Sequence, residues 1–254
     1  MKKAIINFFG ILCLSFFFIS CNNQSEWIYL FDGQTTDGWR AYNGKDIPKK
    51  WAVVNGELTF NTELKLEEDW VGGADIIYYK EQFEYFELYL EWKLPKGGNS
   101  GVFYNVQEGH DSPPAISPEY QLLDDIGWEE INNAKLKEWQ KAGANYAMHD
   151  ADLSKKKLNP AGQWNSSKII YNKDKVEHWL NGQLLLDFVP YSEDWFLKRN
   201  SGKLGPDYAK YKKGFIALQD HDSPIWFKNI KLSLIHISEP TRLLSISYAV
   251  FCLK

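Results

Sequence analysis

Phe83-Glu84-Tyr85-Phe86-Glu87-Leu88-Tyr89-Leu90-Glu91-Trp92 decides the fold, because apolar and acidic side chains nearly alternate through it. Successive side chains of an extended chain point to opposite faces. The stretch therefore predicts a long strand with one face in a core and the other in water. Shorter pieces of the same kind lie on either side. Trp51-Ala52-Val53-Val54 and Glu57-Leu58-Thr59-Phe60 flank Asn55-Gly56, a strong hairpin signal. Residues 168–171 and 176–180 flank the turn at 172–175, and Asn181-Gly182 turns the chain into 183–188. Residues 27–31, ending at Asp32-Gly33, and 225–230, after the turn at Asp222-Ser223-Pro224, supply the outlying strands. Many short strands between Gly, Asn and Asp turns predict an all-β, two-sheet antiparallel jelly-roll sandwich. Residues 127–157 break the pattern with Lys, Glu, Asn and Ala. They predict one long, partly helical insertion over a rim of the sandwich, with its helix across 129–141.

Both ends read differently from the middle. Lys2 and Lys3 precede an apolar run from Ala4 to Ile19, closed by Phe18-Ile19-Ser20-Cys21. A charged start, a short apolar stretch and a small residue before the cut form a secretory signal. Residues 1–20 are therefore expected to be a leader, with Cys21 as the lipidated first residue anchored to a bacterial membrane. The expected location is the cell envelope, in the periplasm or on the outer-membrane surface. At the other end, 232–242 resembles an in-frame translation of a transposase-type sequencing adapter, and 246–254 matches its remainder around an index-like Leu243-Leu244-Ser245. Residues 233–254 are accordingly expected to be foreign to a single domain spanning 22–232. Of the three Cys, Cys13 falls in the leader and Cys252 in the tail, so a disulfide framework or thiolate metal site is not expected. Setting aside Lys2, Lys3, Arg242 and Lys254 from 29 basic residues, and Glu239 from 33 acidic ones, leaves 25 against 32, a net charge of −7. Such a domain lacks the basic balance that a nucleic-acid partner needs.

Three strand-like segments carry polar groups on an alternating face: Asn99-Ser100-Gly101-Val102-Phe103-Tyr104, Pro118-Glu119-Tyr120-Gln121-Leu122-Leu123-Asp124-Asp125 and Phe215-Ile216-Ala217-Leu218-Gln219-Asp220-His221. Alternation puts Glu119 with Gln121, and Gln219 with His221, while Ile216 and Leu218 face a core. A carboxylate, an imidazole and two amides on one sheet face outline a groove for a small carbohydrate. His178 shares a face with Val176 and Leu180, which leaves a hydrogen-bonded core histidine as an alternative. Trp164 and Asn165 read as residues that hold a turn. No cofactor is expected. Asp124 and Asp125 with Glu119 or His110 leave a divalent cation open, since oxygen ligands suit calcium or magnesium, although no dedicated ligand spacing is present. Two further classes remain open on these residues: a laminarinase-type glycosidase with two carboxylates about the bond, and a non-catalytic sugar-binding lipoprotein. The first is disfavoured by Gln121, which stands where a second nearby acid is expected.

Gly98-Asn99-Ser100-Gly101-Val102, the 119–125 segment, Gly162-Gln163-Trp164-Asn165, Glu177-His178-Trp179-Leu180-Asn181-Gly182, Leu218-Gln219-Asp220-His221 and Trp226-Phe227-Lys228-Asn229-Ile230 together resemble the 3-keto-disaccharide hydrolase family. Phe31-Asp32-Gly33 and Gly38-Trp39 fit as well, and the order holds from about Trp27 to Leu232. The resemblance implies a secreted or lipid-anchored protein of the Bacteroidetes type with a concanavalin A-like jelly roll. It also implies hydrolysis of glycosides already oxidised to a ketone at C3. That ketone acidifies the hydrogen at C2, so a base can form an enediolate, expel the group at C1 and allow water to add back. On this reading Glu119 is the base and His221 the acid or oxyanion partner. Asn99, Gln121, Tyr146, His178, Trp179 and Gln219 hold the sugar. A glycoside 3-oxidoreductase is the expected functional partner. Asp222 departs from the family's usual Gly after Gln-Asp-His, which puts the turn geometry in question.

Overall fold

The computed structural model describes residues 26–66, 73–202 and 204–235. In chain order the strands are β1 (Trp27–Tyr29), β2 (Trp39–Ala41), β3 (Trp51–Val54), β4 (Glu57–Phe60), β5 (Ile76–Tyr78), β6 (Phe86–Lys93), β7 (Asn99–Val106), β8 (Glu119–Leu123), β9 (Asn165–Tyr171), β10 (Val176–Leu180), β11 (Gln183–Phe188), β12 (Phe215–Leu218) and β13 (Ile225–Leu234). Two α-helices, α1 (Asp125–Asn132) and α2 (Glu193–Ser201), interrupt them. The larger sheet runs β11-β10-β9-β6-β13-β4-β3 with β1 also paired to β13, and the smaller runs β2-β5-β12-β7-β8. All pairings are antiparallel. The protein is a two-sheet all-β sandwich of the jelly-roll type.

Strand β6 alternates buried and half-buried residues along its whole length, as its sequence predicts. Its inward side chains Phe86, Leu88, Leu90 and Trp92 join Val102, Tyr104, Tyr120, Leu122, Ile216 and Leu218 from the other sheet in one core. Indole N–H groups buried here find acceptors: Trp39 Nε1 donates to the Leu30 carbonyl, Trp51 Nε1 to the Ala74 carbonyl, and Trp92 Nε1 to Ser167 Oγ at 2.8 Å. The Asn55-Gly56 hairpin forms with both residues at positive φ, as a two-residue primed turn requires.

Four features differ from the sequence expectation. The helix in the insertion is α1, at 125–132 rather than 129–141; Asn133 ends it in the left-handed region at φ 45°, and a 3-10 turn at Glu138–Gln140 follows. Helix α2 was not foreseen, although its signals are ordinary ones. Ser192 Oγ accepts the Trp195 N–H, Glu193 and Asp194 open the first turn, and Lys198 and Arg199 close the last. Strands β2 and β5 are too short to register as periodic runs. Finally, β12 stops at Leu218, so Gln219 and His221 are not related by strand alternation.

The insertion lies along β8. Gln121 N–H donates to the Ala144 carbonyl, Gly143 N–H to the Gln121 carbonyl, and Tyr146 N–H to the Glu119 carbonyl at 3.0 Å. The outer edge of the smaller sheet is thereby covered rather than left as a bare template for pairing. Cys21 and the proposed leader, and residues 236–254, lie outside the described residues.

Candidate functional site

The outer face of the smaller sheet is built by the side chains that alternate with its core set. Phe103, Ala217, Ile77, Val106 and Tyr42 form a separate small cluster there. Beside it lie the polar residues. Phe103 pairs with Glu119 and Gly101 with Gln121 across β7 and β8. Gln219, one residue beyond β12, donates its N–H to the Gly101 carbonyl at 3.0 Å. Glu119, Gln121 and Gln219 thus surround Gly101, and the absence of a side chain at that glycine is a steric requirement. A Cβ built on Gly101 would collide with the Glu119 carboxylate. Gln121 Nε2 donates to Asn99 Oδ1 at 2.9 Å, which fixes both amides on the same face.

Glu119 is 5% exposed and opens onto a cavity of about 330 Å³ with Ser117, Tyr146, Tyr208, Ser112, Pro114 and Ala115. Its walls come from the 112–118 turn before β8, the insertion and the chain after α2. Burial, with the Glu119 charge nearby, raises the Tyr208 phenol well above its ordinary value. Among the described residues, Ser117 Oγ and Gln219 Oε1 are buried without a hydrogen-bonding partner. Buried polar atoms are rarely left so; Ser117 lines the cavity, and Gln219 borders Gly101. Hydroxyl groups of a bound sugar match what they lack.

Asp75 immediately precedes β5 and was not singled out from sequence. Its Oδ1 accepts the Asp220 N–H at 2.7 Å, tying the foot of the 219–222 turn to the sheet. Burial pushes its carboxyl up to about 7, opposed by that hydrogen bond. His221 is exposed on the same turn. Asp222 takes φ 51° and donates its N–H to Asp220 Oδ1 at 2.9 Å, so an aspartate fills the left-handed position where Gly is usual, and the turn forms nevertheless.

The structure gathers Glu119, Gln121, Asn99 and Gln219 around Gly101, and Tyr146 with Glu119 at the cavity. It does not bring His178 or Trp179 there. His178 is fully buried between the sheets, its Nδ1 3.1 Å from the Gly143 carbonyl and its Nε2 3.4 Å from Tyr104 Oη. Burial lowers its pKa to about 3. It is a core histidine that pins the insertion from inside. Trp179, next in a strand of the opposite sheet, points to that sheet's outer surface, where its Nε1 donates to Glu177 Oε2 and Lys168 Nζ stands 4.4 Å above its ring. Asp124 and Asp125 serve the backbone: Asp124 Oδ2 accepts the Gly97 N–H, while Asp125 accepts the Ala142 N–H and pairs with Lys156. Among the described residues, no group of three His, Cys, Asp or Glu is placed to hold a metal ion. Sequence reasoning missed Ser117 and Asp75. Ser117 lies in the turn before β8, where no strand period reaches it, and reading 76–78 as a strand finds Asp75.

A jelly roll with a buried carboxylate, fixed amides and unsatisfied polar atoms on one sheet face belongs to the carbohydrate-active class. Residues 26–233 match the model of the 3-keto-α-glucoside-1,2-lyase-like domain. A 3-keto-disaccharide hydrolase from Bacteroides thetaiotaomicron is 34% identical over 231 residues, 82% of this chain and 78% of that protein. A crystal structure from Parabacteroides distasonis, described as a glycosyl hydrolase candidate, is 38% identical with a TM-score of 0.74 over 83% of this chain and 94% of that one. A second from the same species is 26% identical with a TM-score of 0.59, over 83% and 100%. The chain belongs to the 3-keto-disaccharide hydrolase family, and it is a hydrolase acting on glycosidic bonds.

Proposed function

We propose that this chain cleaves 3-keto-glycosides by elimination across C1 and C2 followed by addition of water. The observation that carries the reading is Glu119, a buried carboxylate facing a cavity with Ser117 and Tyr146, held over a glycine that leaves it room. The name of the matching family, a 1,2-lyase of 3-keto-α-glucosides, describes the same bond chemistry. In this mechanism Glu119 takes the C2 proton that the C3 ketone has acidified. The electron pair shifts into an enediolate, the aglycone leaves from C1, and water adds to the resulting enone. Donors must meet charge on the ketone oxygen as it develops, and an acid must reach the leaving oxygen. His221, on the turn that Asp75 anchors, is assigned one of these two roles. Asn99, Gln121, Gln219 and Tyr146 hold the hydroxyls. Because the substrate is already a ketone, a C3-specific glycoside oxidoreductase must act upstream.

The test is release of free sugar from a matched pair, a glucoside and its 3-keto form. Cleavage confined to the keto form supports the elimination route, and cleavage of the plain glucoside overturns it. We also propose attachment to the cell envelope through Cys21, motivated by Phe18-Ile19-Ser20-Cys21 behind the apolar run. Metabolic labelling with a fatty acid should mark the full chain but not Cys21→Ser; equal labelling of both removes the anchor.

A further inference from the structure

The outer face of the larger sheet, opposite the site, carries an ordered row that the hydrolytic reading leaves unused. Register places Trp179 opposite Lys168, Lys168 opposite Tyr89, Tyr89 opposite Lys231, and Lys231 opposite Tyr29, across β10, β9, β6, β13 and β1. Ring, cation, ring, cation and ring follow one another in a line across five strands. The lysines are held over the rings: Lys168 Nζ is 4.4 Å from the Trp179 centroid, and Lys231 Nζ is 4.7 Å from Trp27 and 5.2 Å from Tyr89. A second cavity of about 330 Å³ opens here, lined by Trp179, Tyr89, Lys168, Glu87 and Ser166.

We propose that this row is a second glycan-binding surface, taking a straight, uncharged, β-1,4-linked glucan chain. Three observations choose that occupant. Successive rings are two strands apart, about 10 Å, comparable to the disaccharide repeat after which a straight β-1,4 chain presents the same sugar face again. Lys168 lies 3.6 Å from Glu87, Lys228 3.3 Å from Glu91 and Lys93 3.5 Å from Glu57, while Lys231 packs on the Trp27 and Tyr89 rings, so the face has little surplus charge to attract an ionic partner. The same ammonium and carboxylate groups, fixed beside the rings, supply the donors and acceptors that sugar hydroxyls need while the rings stack on sugar C–H faces. Choosing a saccharide also rests on reading the opposite face as a sugar site, and the experiment reads the two faces separately.

Calorimetric titration of the full chain with cellohexaose, which carries no ketone, tests the surface. The expected result is binding that Glu119→Gln leaves unchanged and that Trp179→Ala or Tyr89→Ala weakens about tenfold, the scale of losing one aromatic contact. Tyr29→Ala removes a ring that is 65% exposed and so spares the fold; it should weaken binding in the same direction. All three ring variants should retain turnover of the 3-keto substrate. Absence of binding, loss of binding in Glu119→Gln alone, or unchanged binding in the ring variants overturns the proposal. Equal affinity for the helically coiled maltohexaose overturns the straight-chain assignment.

Discussion

At the scale of single residues, the site turns on Glu119 and on what Gly101 lacks. A carboxylate that is 5% exposed keeps its place only if the neighbouring backbone admits it, and Gly101 is paired with Gln121 in the adjoining strand. Glu119→Gln preserves shape and removes the proposed base, so turnover of a 3-keto-glycoside should fall about 10²- to 10⁴-fold with an unchanged melting temperature. Turnover within twofold of the wild type would remove Glu119 from the mechanism. Gly101→Ala leaves the Glu119 carboxylate present and displaces it, because the added methyl collides with it. Overpacking of this kind costs about 1–3 kcal/mol. The expected outcome is a lower melting temperature together with at least a tenfold loss of turnover; an active, equally stable variant would show that the carboxylate has another resting position. Glu119 was legible in the sequence because it alternates with Gln121 in an otherwise apolar strand. Ser117 was not, because it lies in the proline-flanked turn before β8, where no strand alternation reaches it.

At the scale of elements, β10 explains both a success and a failure of sequence reasoning. Alternation within 176–180 correctly gives one face to Val176, His178 and Leu180, the core-histidine alternative, and the other to Trp179. A motif that contributes both His178 and Trp179 to one substrate ignores this, since adjacent strand residues cannot share a face. The 219–222 turn shows the converse, because nothing local to 215–221 reveals that β12 stops at Leu218 or that Asp75 takes the Asp220 N–H. The buried groups set a pH dependence. His178 is lowered to about 3 and His149 to about 4 by burial, both from 6.5, so the unfolded chain binds protons that the fold refuses. Their contribution is complete above pH 6.5 and is lost as pH falls toward those values. Asp75, raised to about 7 from 3.8, acts in the opposite sense: the fold binds the extra proton, and stability falls as pH rises from about 4 through 7. The urea midpoint should therefore drop between pH 7 and pH 5, and drop more steeply in Asp75→Asn, which imitates the neutral acid at every pH. A shallower slope in that variant would contradict the raised carboxyl.

At the scale of the whole molecule, the two sheets present two chemically different outer faces around one core. The sandwich itself was legible, since half-exposed strands such as β6 and the Asn-Gly hairpin each declare themselves over a few residues. Strand order was not, because it depends on which distant strands share the core, and β13 is the extreme case. It lies between β6 and β4 and also holds β1, so the last strand of the sheet is central to it. Ile225, Phe227, Ile230 and Leu232 are each fully buried from this strand. Its pairing continues through Ser233 opposite Trp27 and Glu87, and Leu234 opposite Phe86. Losing it removes four large side chains from the core, each worth about 2–5 kcal/mol when cut back to alanine, against a typical total stability of about 5–15 kcal/mol. A chain ending at Pro224 should have no cooperative unfolding transition. A chain ending at Ile235 keeps every pairing of β13 and should melt as a single transition. Ending at Leu232 sacrifices the pairs of Ser233 and Leu234 and should fold with a lowered midpoint. Circular dichroism melts of the three forms rank these outcomes, and a cooperative transition in the Pro224 form would show that the larger sheet closes without its centre.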